Sequence, residues 1–146
     1  MNAFTEWGLG MNESDFKRWV RDSWAGWLES YEPRRGTGIG IPDLQIVVDQ
    51  RLVPVELKVG ELQNGWLVPR EVRPAQIQWH RELNHYGVRT VLLVGVCDYA
   101  REVWMPYPID GRIINNWRNG FEVVEPIPDT MFDSLFTDWC RQLLTT

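Results

Sequence analysis

The stretch "DLQIVVDQRLVPVELKV", which begins at Asp43, constrains the fold more than any other part of the chain. Apolar residues alternate on both sides of Asp49-Gln50. Leu44, Ile46 and Val48 share one face before that pair, and Val53, Val55, Leu57 and Val59 share one face after it. A two-residue turn sets Leu44 across from Val55 and Ile46 across from Val53. Only this register buries both apolar sets together, because a slip of one residue turns every side chain to the other face. The same register puts Asp43 opposite Glu56, with Lys58 two residues further along the same face. Ordinary sheet packing gives no reason for two acids and an amine among Leu, Ile and Val.

Around this hairpin the pattern predicts one α/β domain spanning the chain, with a core over residues 12–96 and additions after it. A helix is expected from Glu13 to Tyr31, because Phe16, Trp19, Val20, Ser23, Trp24 and Trp27 recur at helical spacing behind an Asn12 N-cap. The strands Asp43 to Val48 and Val53 to Val59 follow. "GELQNGWLVPREV" reads as a loop with a short third strand at Trp66 to Val68. A second helix runs from Pro74, suited to a first helical position, to Tyr86, where Gly87 stops it. "RTVLLVGVC" is continuously apolar, as in a strand covered on both faces. "EVWMPYPI" and "FEVVEPIP" read as further strands and "GRIINNWRNG" as a short helix. The last helix, Asp129 to Leu144, carries Phe132, Leu135, Phe136, Trp139, Cys140 and Leu143 as a stripe that packs on the body, with a homodimer contact as the competing reading.

Opposed carboxylates repel unless a cation or proton lies between them. Paired oxygens suit a hard divalent ion such as Mg²⁺, with Mn²⁺ as a substitute, and the Leu57 carbonyl offers a third ligand. An ammonium at Lys58 can orient a metal-bound water and stabilise charge that develops on a phosphate. Together these groups suffice for phosphodiester hydrolysis. The plainer alternative is a salt bridge between Lys58 and one of the acids on a solvated sheet face.

"IPD" followed by "VELK" resembles the PD-(D/E)xK nuclease superfamily, and within it VRR-type nuclease modules and phage and archaeal Holliday-junction resolvases. The resemblance implies an αβββαβ restriction-endonuclease-like core with a mixed sheet, Asp43 and Glu56 as metal ligands, and Lys58 as the catalytic lysine. It adds Glu13, matching an acid on the family's first helix, and Gln76 in "RPAQIQWHREL", matching a glutamine that opens the helix after the ExK strand. It also implies branched or flapped DNA as substrate and a homodimer as the working form. A restriction-type nuclease and a non-catalytic DNA-binding or assembly protein remain as alternatives. Pro54 inside the second strand departs from the pattern.

Arg34 and Arg35 in the glycine-rich loop before Asp43, with Arg70 and Arg73 before the Gln76 helix, are expected to contact phosphates. Trp66 is expected to fold onto the core, with base stacking as its alternative. His80 and His85 read as packing or surface residues. The net charge of −5 argues against a protein that coats nucleic acid by charge alone, though not against an enzyme that recruits cations. Neither a signal-peptide pattern nor a membrane-length apolar run is visible, so a cytoplasmic location with no membrane partner is expected. Cys97 and Cys140 are expected to be buried thiols.

Overall fold

The structure, a computed structural model, describes residues 12–23, 27–29, 42, 44–117, 119–122 and 125–146. It is a mixed α/β arrangement with a helix-covered core on each face of a mixed sheet. In chain order the elements are α1 (Glu13–Ser23), β1 (Trp27–Glu29), β2 (Leu44–Val48), β3 (Arg51–Gln63), β4 (Trp66–Pro69), α2 (Pro74–His85), β5 (Val91–Asp98), β6 (Val103–Asp110), a 3-10 segment (Gly111–Asn116), β7 (Phe121–Glu122), a 3-10 turn (Asp129–Met131) and α3 (Phe132–Leu144). No helix among the described residues is long and apolar enough to cross a membrane.

The hairpin forms in the register that its apolar faces require. Leu44 pairs with Val55, Ile46 with Val53 and Val48 with Arg51. Asp49 and Gln50 take φ values of 50° and 67°, both left-handed, as a type I′ turn demands. The turn makes Val48–Arg51 a hydrogen-bonded pair, and strict alternation then makes Gln45–Pro54 a non-hydrogen-bonded one. Pro54 therefore turns its donorless nitrogen away from β2. On its other side the parallel ladder with β5 begins only at Val55, opposite Val91, so no sheet bond is lost.

Three expectations about these elements are corrected. The first helix ends at Ser23, and Trp27–Glu29 is a strand antiparallel to β2, with Trp27 opposite Ile46. Gly26 is a poor helix former, and pairing along β2 satisfies backbone groups at what is otherwise an open sheet edge. Trp24 lies outside the described residues. The expected short strand at Trp66 to Val68 is present as β4, but the segment between Gly60 and it is no loop. β3 continues to Gln63, and Asn64-Gly65, with φ of 50° and 83°, turns it into β4. Trp66 lies at the start of β4 and is 50% exposed rather than folded onto the core.

One core lies between the sheet and α1 with α3. Phe16 and Val20 meet Val55, Leu57 and Leu93 there, together with Phe132, Phe136 and Cys140. Each such large side chain, once buried, contributes about 1.5–3 kcal/mol. The stripe of α3 thus packs on the body. The second core, under α2, gathers Leu92, Val94, Tyr107 and Trp117, with Ile77 against them. Buried beside it, the His80 ring meets Trp117 edge-on and its Nδ1 lies 2.7 Å from Thr90 Oγ1, so His80 is a packing residue, whereas His85 is exposed.

Cys140 is buried, but Cys97 is only half-buried, which corrects the expectation of two buried thiols. Burial pushes the Cys140 thiol up to about 12, and desolvation also raises Cys97, opposed by a hydrogen bond with Tyr99. In native buffer near neutral pH a thiol reagent will therefore modify one equivalent slowly, at Cys97, and reach Cys140 only after denaturant is added. Mass spectrometry showing both thiols modified at one rate would contradict this packing.

Candidate functional site at a fork in the sheet

β3 is longer than any partner, and the site lies where its partners change. β2 leaves one edge of β3 after Val55, and β4 joins at Gly60. Val53 and Val55 direct their peptide groups toward β2. The Arg70 amide donates to the Val59 carbonyl at 2.8 Å, which puts β4 on that same edge, with β5 on the other. By the same alternation the Leu57 peptide groups face the fork between β2 and β4.

Glu56 and Lys58 sit on the face opposite Leu57, alongside Leu92 and Val94 of β5. Both are buried, with exposures of 1% and 2%. Charged groups almost never reach such burial without partners. Lys58 Nζ lies 3.4 Å from Glu13 Oε1, at the first residue of α1, and donates to the Glu71 carbonyl oxygen at 3.2 Å. α1 can offer Glu13 because Asn12 caps it: the Asp15 amide donates to Asn12 Oδ1 at 2.9 Å. Lys17, one turn along, lies 3.9 Å from the same carboxylate. Asn12, Glu13, Val59, Arg70 and Glu71 line a cleft of about 360 Å³ over this point.

Asp43 lies outside the described residues, as do Arg34 and Arg35. Leu44, beside Asp43 in the chain, pairs with Val55, the residue before Glu56. Of the remaining sequence-predicted residues, Glu13 and Lys58 come together. Gln76 is buried at 5% exposure, and its Oε1 accepts the Arg73 amide at 3.0 Å at the start of α2. Arg70 opens on the cleft but is held to Glu61, with its Nη2 2.6 Å from Oε1, and this bond holds the Glu61 carboxyl below its ordinary value. Arg73 is exposed at the head of α2.

Glu71 was not foreseen. It contributes a carbonyl oxygen, and it does so at φ 51°, a left-handed conformation uncommon outside glycine. A backbone acceptor leaves no side-chain signature in a sequence. Glu56 and the Leu57 carbonyl are hard oxygen donors of the kind a magnesium-like ion takes, but among the described residues no group of three or more His, Cys, Asp or Glu side chains is placed to hold a metal ion. No protein-family model matches the chain, and a search of curated proteins finds no match.

Proposed function

We propose that the protein is a metal-dependent DNA endonuclease on a restriction-endonuclease-like core, selective for branched or flapped substrates. The observation that carries this reading is the convergence on one buried ammonium. Lys58 from β3, Glu13 from the start of α1 and the Glu71 carbonyl from the segment before α2 meet, and Glu13 and Glu71 line the neighbouring cleft.

Asp43, Glu56 and the Leu57 carbonyl would hold Mg²⁺, which when bound supplies a Lewis acid and acidifies a water. Lys58 is aimed by its two partners, so its charge is in place before a phosphate arrives and needs no reorganisation as negative charge grows on the phosphoryl oxygens. Glu13 steadies the ammonium and can take a proton from an approaching water. The burial of Lys58 and Glu56 excludes bulk water, which strengthens each of these interactions. Arg70 and Arg73 supply phosphate contacts in a protein whose overall charge is negative.

The test is the purified protein with Mg²⁺, Mn²⁺ or EDTA on four-way junction, flap, single-stranded and linear duplex DNA. Cleavage is expected with either metal, strongest on the branched substrates, absent in EDTA, and lost in Asp43→Asn with binding retained. Equal cutting by Asp43→Asn rejects the assigned site.

A further inference from the structure

A second cleft, of about 470 Å³, adjoins the first and shares Val59 and Arg70 with it. Val96, Met105 and Tyr99 form its apolar side, and Glu61, Asp98 and the Arg70 guanidinium its polar side. We propose that this cleft receives one unpaired nucleobase of a polynucleotide whose neighbouring phosphate lies in the first cleft, between Asn12 and Arg70, with Arg70 as the divider between base and phosphate. The proposal rests on the nuclease reading and gives it a physical basis for selectivity.

Three features favour a base over other occupants. The volume lies toward the lower end of small-ligand pockets and admits a planar heterocycle with its sugar. The carboxylates of Glu61 and Asp98 repel a phosphate from the interior but accept from exocyclic amines. Tyr99 lines the cleft and is 37% exposed, and every base has a π face that can stack on an aromatic ring. The Arg70–Glu61 pair is exposed, so exchanging that carboxylate for a phosphate requires little. Arg70 then contacts the backbone between the two clefts. A fully paired duplex has no base free to enter, whereas a flap, a gap or a junction does.

The test uses the full chain in EDTA and a flapped oligonucleotide bearing 2-aminopurine at its first unpaired position, beside the matching blunt duplex. Binding should change the 2-aminopurine fluorescence in the flap, with little change in the duplex. Tyr99→Ala should lower the ratio of flap to duplex affinity about tenfold, the scale of one lost stack, and Tyr99→Phe should restore it. An unchanged ratio in Tyr99→Ala overturns the base pocket while leaving metal-dependent cleavage intact as a separate result. A flap-selective, Tyr99-dependent fluorescence change in a protein that never cuts supports the pocket and overturns the nuclease reading instead. No binding to either oligonucleotide overturns the pocket.

Discussion

Replacing Lys58 with methionine will give a folded protein, at least as heat-stable as the parent, that no longer cleaves. Methionine is unbranched, close to the lysine stem in shape, and adapts to irregular surroundings. The parent buries an ammonium at 2% exposure against one carboxylate at 3.4 Å and one carbonyl at 3.2 Å. That geometry recovers only part of a desolvation penalty of several kcal/mol per ion; removing one partner of a pair is costly when the other charge stays buried, and not when the other can reach water. Glu13 is partly exposed, so its carboxylate turns to water when the lysine is gone. Cleavage should fall by about 10²–10³, as when one preorganised donor to a developing oxyanion is removed. Lys58→Arg should not rescue it, because a planar guanidinium neither fits that slot nor presents a point charge. Thermal melts and single-turnover cleavage decide the matter together. A lower melting temperature with full cleavage would make Lys58 a structural ion pair. The predicted pairing of lost activity with undiminished stability is the mark of a residue kept for chemistry.

How much of this was legible in the sequence differs from element to element, for physical reasons. The hairpin register could be read because both of its faces are constrained: one buried set must meet another, and only one offset allows it. The place of Glu13 on the first helix was also readable, since Asn12 supplies a cap whose chemistry is local. The β3–β4 hairpin was missed although Asn64-Gly65 announces a type I′ turn, because Glu61, Leu62 and Gln63 are all exposed and show no alternation. The end of α1 was missed because tryptophans suit a helix face and a strand alike, and the choice is made by the open edge of β2, which is a tertiary fact. Of the candidate site, the sequence supplies the acids and the amine. It does not supply the fork, which depends on where two strands stop along a third, or the Glu71 carbonyl, which depends on one backbone dihedral.

Gly95→Ala will destabilise the fold and weaken cleavage together. Nothing in "VLLVGVC" marks this glycine, which sits mid-strand at an ordinary dihedral between Val59 of β3 and Pro106 of β6. Its role is to leave room. A Cβ there would overlap the Phe16 ring, with Cγ only 2.7 Å away and the Cδ1 and Cε1 edge closer still. Phe16 cannot swing aside, because its ring stacks on Trp19 at 6.0 Å and leans on Trp104 at 5.0 Å, and it is fully buried. The overlap must therefore lift α1 from the sheet. Overpacking of this kind costs about 1–3 kcal/mol, and the rigid aromatic surround places this case at the upper end, with a melting temperature lower by about 5–10 °C. α1 also carries Glu13 to Lys58, so cleavage should fall together with stability, in contrast to Lys58→Met. The decisive control is the pair Gly95→Ala with Phe16→Leu. The smaller side chain opens the space that the methyl needs, so the double variant should be more stable than the sum of the two single losses requires, by about 1 kcal/mol or more. Strict additivity in that cycle would mean that the strand, and not the helix above it, yields to the methyl, and the coupling between α1 and the site would then have to run by another route.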